Sequence, residues 1–381
     1  MAHILILGGG FGGVVAAERL AENLAPEHQI TLVSRSDRFV FYPALVRVAF
    51  GRADVADVSF DLREAMLSRR VRFIRTEAVR VDFRRRIVTL ARGEFDGELS
   101  YDHLIIATGR RLATEQVAGF FEHAHHLLSV EAALRFGEAV RRFQEGRAVI
   151  GYCPGARLSV PVFETAFALA RHLEERQARH RVRITVVTPE QSLDAIAGFG
   201  GEDFTARLRQ AMEAHGIELL PDFSVRRITE GQVWADDQSK LSYDLLMLVP
   251  PFAGASIGLH HYSAEITDYD GFIRTDRHMR VREIERAYAV GDCVSFSGPK
   301  MGHMAVRQAE VAAANVQAEV EGREPSALYT HEARLIIDTG DADTLYLHQG
   351  LWEDEPHAVR QGRFWSWAKR VHETYWRMEH R

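Results

Sequence analysis

A few side chains in this sequence are of types that do chemistry, and each also has an ordinary reading. Lys300, in "GPKMG", is one of only three lysines in a chain whose positive charge is otherwise arginine. A lysine held at a site of developing negative charge stabilises it electrostatically. On a surface it is a solvated cation. Glu164, in "PVFETAF", heads an apolar segment. A carboxylate there can move protons or simply complement a helix dipole. Cys153 lies in "VIGYCPGARLSVP", after a strand and before a helix. A helix N-terminus lowers a thiol's pKa and makes it reactive, whereas a buried cysteine is a small apolar residue. Cys293, directly after Asp292 at a strand end, reads as such a core residue. His303 has the chemistry of a proton donor but is expected at the surface. His123, His125 and His126 read as linker surface, and no metal site is expected.

Composition narrows the setting for this chemistry. A chain of 381 residues is too long for one ordinary core, so two or three domains are expected. Apolar residues make up 46 % and charged residues 26 %, as in globular proteins. A formal net charge of −6 gives no reason to expect nucleic acid as a partner. Two cysteines build no disulfide framework, and "MAHILILGGG" carries no basic leader or cleavage site. No apolar run approaches the roughly 18 residues of a spanning helix. A cytoplasmic location is expected.

The elements that must position these groups begin at the first residues. "HILILGGGFGGVVAAERLAE" reads as buried strand, glycine turn and helix. Gly8, Gly10 and Gly13 fit the G-x-G-x-x-G pattern, with Phe11 inside it. The first glycine permits the turn, the second lets backbone approach a pyrophosphate, and the third lets the helix pack on the strand. The second strand, "QITLVSRSD", should end in an acid for a ribose hydroxyl. It ends instead in Ser34, followed by Arg35; a serine accepts the same bond less strongly.

Two further segments, "YDHLIIATG" with Ala107, Thr108 and Gly109, and "IERAYAVGDCVSF" with Gly291 and Asp292, resemble signature segments of the two-dinucleotide flavoprotein superfamily. That resemblance implies FAD as cofactor, with Asp292 at its ribityl and pyrophosphate region. It also implies a flavin domain interrupted by a second nucleotide-type domain. The fold class is therefore expected to be α/β, a tandem Rossmann-like flavoprotein. The expected divisions are 1–115 with 246–320 for FAD, a linker over 116–145, an inserted NAD(P)-binding-like domain over 146–245, and a C-terminal domain over 321–381.

The inserted domain opens with "RAVIGYCPGARLSVPVFETAF". At its three glycine positions stand Gly151, Cys153 and Ala156. A Cβ at the second position obstructs the pyrophosphate, and Pro154 removes a neighbouring N–H. The loop runs on through Arg157 to Pro161, which displaces the helix N-terminus. "VVTPE" leaves Glu190 as a ribose acid, yet the loop disfavours NADH.

Over nearly its whole length the chain resembles the sulfide:quinone oxidoreductases. "FVFYPALVRVAFG" looks like that family's aromatic-proline segment, which implies Pro43 beside the flavin. "PVFETAF", "GPKMGHMAVRQAEVAAANV" and "IIDTGDADTLYL" look like three more of its segments. The resemblance implies that Lys300 approaches the flavin or the quinone and that Glu164 points toward the flavin. That family works through thiols. The positions matching its cysteines carry Leu158, Leu335 and Leu128, and leucine is no nucleophile. The chain is thus expected to pass electrons through FAD to a quinone without a cysteine relay, with Glu164, Lys300 and Cys153 as catalytic candidates. Two other readings are an NADH:quinone oxidoreductase with a diverged loop and a non-catalytic flavoprotein binding module.

Finally, "RFWSWAKRVHETYWRMEHR" (363–381) places Phe364, Trp365, Ala368, Val371, Tyr375 and Trp376 near one helical face. Tryptophan with flanking basic residues suits an interfacial helix, and the same face suits packing on its own domain. The quinone-family resemblance favours the first, a peripheral attachment to the inner face of the cell membrane. A homodimer is a further option that the sequence does not decide.

Overall fold

The apolar run His3–Leu7 forms the centre of a five-stranded parallel sheet. Its strands lie in the order Ala287–Ala289, His103–Ile106, His3–Leu7, Gln29–Ser34 and Arg72–Arg75. Strands buried on both faces read as continuous apolar runs, and Ile4 to Leu7 are fully buried. One strand of this sheet comes from near residue 290, so the domain is assembled from two distant stretches of chain. The computed structural model describes every residue except 92–94, 96, 256, 261, 262, 341–343, 353–356, 363, 365–375, 377 and 381.

The helices Phe11–Asn23 and Gly302–Val320 pack against one another over this sheet. Small residues make the approach possible. Ala16, Ala17, Ala309, Ala312 and Ala313 are all buried.

The inserted domain has its own parallel sheet, ordered Ile217–Leu220, Val182–Val187, Gly146–Tyr152 and Leu245–Val249. Helix Val160–Glu175 covers it, starting with proline in its first turn, where the missing N–H costs nothing. Strand Leu245–Val249 belongs wholly to this sheet. The return to the first domain therefore comes after Val249, past the 246 boundary expected from the sequence. A short antiparallel ribbon, Arg110–Leu112 with Phe252–Gly254, carries the chain out and back. The linker is not surface throughout. His125 and His126 are half-buried, and His125 bonds through its backbone to Leu246 and Leu248 beside the inserted sheet. No metal-binding cluster occurs among the described residues.

A three-stranded antiparallel sheet, Glu332–Ile337, Leu345–Gly350 and Ala358–Gln361, completes the fold. Among the described residues no helix is long and apolar enough to cross a membrane. Most of the expected C-terminal stripe lies outside the described residues. Of its two described members, Phe364 is exposed and Trp376 is buried. The Trp376 ring packs among Phe11, Phe39, Phe41 and Phe60, stacking on Phe39 at 4.5 Å. Nearby, His380 Nδ1 bonds the Glu18 carboxylate, which also forms an ion pair with Arg69 at 3.1 Å. For Trp376 the domain-packing alternative is the one observed, because an aromatic pocket and a buried carboxylate wait on the first domain.

A Trp376→Ala substitution removes the ring that fills this pocket. It should cost about 3 kcal/mol in urea-induced unfolding, as large aromatic truncations do. A loss under about 1 kcal/mol would show that the ring contributes little.

Candidate cofactor site

The site lies where the first sheet's strands end. Only three residues, Gly8 to Gly10, separate the first strand from its helix. Gly8 has φ +114°, and a Cβ on it would fall 2.1 Å from the Ala107 carbonyl oxygen. A Cβ on Gly13 would fall 1.8 Å from the Gly8 carbonyl oxygen. Gly10 differs, since nothing lies within 4 Å of the Cβ it lacks. It opens onto free space at the helix N-terminus, which has no side-chain cap. Backbone N–H groups and helix dipole are thus left for an anion.

Opposite this turn stand the other two predicted segments. Gly109 (φ +69°) follows Ala107 and Thr108. Gly291 (φ +80°) donates its N–H to Gln308 Oε1 at 2.6 Å. Asp292 forms an ion pair with Arg110, whose guanidinium lies 4.2 Å from the Phe252 ring centroid. Thr108 Oγ1 and Arg110 Nε are buried without a hydrogen-bond partner among the described residues. Buried polar atoms of that kind call for a partner. An open glycine, an uncapped helix and two orphaned polar atoms around one cleft fit FAD. Gly8, Gly10, Gly13, Thr108, Gly109, Gly291, Asp292 and Arg110 would hold it. Ser34 is buried at the end of the second strand, and Arg35 is exposed, 3.6 Å from Glu77. Pro43 is exposed in a short turn, beside Tyr42, which lies in the field of Arg110, Asp292 and Arg35. Phe11 sits inside the aromatic cluster described above, its ring 5.1 Å from Phe39.

Arg110 and Tyr42 do not stand out in the sequence. Arg110 directly follows the Ala-Thr-Gly segment, which is the available signal. Its partner Asp292 is far away in the chain, so the pair itself is hidden there.

The catalytic candidates separate. Lys300 is buried, and its ammonium donates to the Val294 carbonyl and lies 4.6 Å from the Phe272 ring centroid. Burial above all, then the Arg157 charge, lowers its pKa to about 7, against the pull of Asp292. A cleft runs beside it, lined by Gly291, Asp292, Phe296, Met304 and His331. Arg157 reaches the same region from the inserted domain, its Nε donating to the Gly298 carbonyl at 2.9 Å. Its backbone carbonyl also accepts the Lys300 N–H at 2.7 Å.

Glu164 is buried too, and its Oε1 accepts the Asp338 N–H at 3.1 Å, which ties the inserted domain to the C-terminal sheet. Cys153 departs from expectation. Its side chain is fully buried among Val149, Val187 and Leu248, and burial pushes its thiol pKa up rather than down. The helix that was to activate it begins only at Val160. Cys293 is buried as expected. His303 is half-buried, with Nε2 3.2 Å from both the Glu332 oxygen and the Arg334 nitrogen. Burial lowers its pKa to about 4, so it is neutral near pH 7 and is not the surface residue expected. Leu335 and Leu128 are buried and Leu158 half-buried.

Lys300 gives the unliganded chain a pH signature. The folded lysine titrates near 7 and the unfolded one near 10.5. Between those values the unfolded state binds more protons, so stability rises with pH; below about 7 the burial penalty is complete. The stability advantage of Lys300→Met over wild type should be largest below that point and shrink toward alkaline pH. A pH-independent difference between the two unfolding curves would refute this.

Comparison with known proteins agrees with this geometry. The family described as pyridine nucleotide-disulphide oxidoreductase matches residues 2–309. Sulfide-quinone reductase of Aquifex aeolicus (strain VF5) is 26 % identical over 394 residues, covering 98 % of this chain and 90 % of the relative. A mitochondrial external alternative NAD(P)H-ubiquinone oxidoreductase B1 of Solanum tuberosum is 23 % identical over 326 residues, covering 78 % of this chain and 56 % of the relative. The X-ray structure of the sulfide:quinone oxidoreductase from Aquifex aeolicus has a TM-score of 0.91 at 23 % identity, covering 100 % of this chain and 92 % of that one. That likeness shows the fold. The protein is an FAD-dependent oxidoreductase and belongs to the pyridine nucleotide-disulphide oxidoreductase family.

Proposed function

We propose that the protein passes electrons through FAD to a quinone, by a route without a cysteine relay. The observation that carries this reading is the buried Lys300, which shares a small hollow with Asp292 and Phe296. Phe296 belongs to a cluster of packed rings. Phe296 lies 4.7 Å from Trp352 and parallel to Tyr329 at 5.7 Å. A flat apolar ring with two carbonyl oxygens suits aromatic walls and one nearby cation. Two relatives support the acceptor, being named a sulfide-quinone reductase and an NAD(P)H-ubiquinone oxidoreductase.

FAD, when bound, supplies the two-electron carrier. The chain's own residues supply charge and protons. Lys300, with its pKa near 7, can hold or release a proton close to neutrality. Behind it, His331 Nε2 lies 2.8 Å from the Ser297 oxygen and Nδ1 2.9 Å from the Tyr329 hydroxyl. That arrangement makes Nε2 the donor and Nδ1 the acceptor. These two bonds fix the His331 ring and its tautomer at the edge of the same hollow. Glu164 is a second proton carrier only if it gives up Asp338. Cys153 has no part in this scheme, because a fully buried thiol with a raised pKa is a poor nucleophile.

The test needs no knowledge of the natural donor. Holoenzyme bleached anaerobically with dithionite should regain its flavin absorbance on addition of a short-chain quinone. Lys300→Met should slow that recovery by about a hundredfold, the scale of a lost general acid. Recovery no faster than in quinone-free buffer would sink the proposal.

Attachment to a cytoplasmic membrane face is the finer part of this reading. Trp376 is committed to the first domain, so contact with lipid would fall to exposed Phe364. In sedimentation with anionic liposomes, Phe364→Ala should reduce binding while Trp376→Phe leaves it unchanged. The reverse pattern, or no binding by wild type, would remove the membrane from the scheme.

A further inference from the structure

In a parallel α/β sheet, ligands bind beyond the C-terminal ends of the strands, and an acid after the second strand takes the ribose hydroxyls. In the inserted domain that acid is Glu190, three residues beyond the strand Val182–Val187. Its backbone is pinned, since its carbonyl accepts the Asp222 N–H at 2.8 Å and lies 3.3 Å from the Thr188 hydroxyl. Its carboxylate is already engaged. Tyr152, the last residue of the neighbouring strand Gly146–Tyr152, donates its phenol hydroxyl to Glu190 Oε2. The Tyr152 side chain is only 2 % exposed.

Two other features act in the same direction. Seven residues, 153–159, separate this strand from its helix, against three at the FAD loop. The helix begins later after its strand than the first helix does, and no side chain caps its N-terminus. Within that loop Arg157 turns toward the flavin domain, its Nε donating to the Gly298 carbonyl and its guanidinium lying 5.5 Å from the Phe272 ring centroid. A cation of the kind that meets a pyrophosphate is used here on the domain contact.

We propose that Tyr152 is a specificity-determining residue: its ring and its bond to Glu190 occupy the ribose position of the inserted domain, and so exclude nicotinamide dinucleotides as electron donors. Burial and the adjacent carboxylate both hold the phenol in its protonated, donating form. Releasing Glu190 takes more than a rotation of one side chain, because the phenol oxygen would then be left buried and unpaired. The donor is therefore one that reaches the flavin without lodging on the inserted sheet. This last statement rests on the quinone-oxidoreductase reading, but the occupation of the ribose position by Tyr152 does not.

Binding and turnover can be read separately. ADP-ribose, which carries the adenosine half and both phosphates but no redox group, is titrated calorimetrically into the FAD-loaded full chain. Wild type should show no binding at millimolar ligand. Tyr152→Ala, which empties the position, should bind at least about tenfold more tightly, the scale of one hydrogen bond to a charged group. Adding Glu190→Gln to that variant should abolish the gain. Tyr152→Phe keeps the ring and frees only the carboxylate, so it guards against a misfolded alanine variant; it should show a smaller gain in the same direction. Micromolar binding by wild type, or no gain in either Tyr152 variant that retains its flavin, would overturn the proposal. A failure of the quinone reading would appear only in flavin recovery with quinone and would leave these titrations unchanged.

Discussion

The first helix has to touch the turn that precedes it. With Gly13 pressed against the Gly8 carbonyl, and Gly8 against Ala107, there is no room for a single methyl group at either place. That contact sets the height of the helix N-terminus above the sheet, and so the depth of the cofactor cleft. Everything else in the site is measured from it. Gly12 sits against Val290 on the adjoining segment, and Phe11 is carried to the ring cluster that receives Trp376. Interiors packed to crystal-like density do not absorb such contacts by yielding.

The second domain lacks this constraint. Its strand Gly146–Tyr152 and helix Val160–Glu175 repeat the strand-to-helix plan, but the connection is seven residues long and is not built on paired glycines. Space at the C-terminal ends of its strands is taken by Tyr152, and the loop is held by Arg157. The same topology thus yields a cofactor cradle in one copy and a supporting wall in the other. Fold similarity alone does not carry binding from one to the other.

Much of this is legible in the sequence because steric demands leave few choices. Glycine is required where backbone meets backbone, so the FAD turn and the Gly291–Asp292 step are readable from spacing. The late start of the inserted helix is readable for the opposite reason, since Cys153 and Pro154 cannot do the work of glycine. Side-chain pairings across long separations are not readable. Arg110 meets Asp292 from 182 residues away, and nothing local marks the partner. The depth of Cys153 is hidden because a loop cysteine and a core cysteine look alike until the facing strand is known. His303 is misplaced by the sequence for the same reason, its burial coming from the C-terminal sheet. For Trp376 periodicity does not choose between two apolar surroundings; the pocket that receives its ring does.

Contacts between the two ends of the described chain bear on how it folds. His380 meets Glu18 across 362 residues, and Trp376 enters a pocket whose walls include Phe11. Long-range contacts of this kind form late, since loop closure must be met before they reward it. During synthesis the first domain is therefore missing a strand until residue 289 has been made, and an aromatic side chain until residue 376 has. The nascent protein carries an open aromatic pocket and a half-built cradle for most of its translation, a stage at which exposed apolar surface invites chaperones or aggregation.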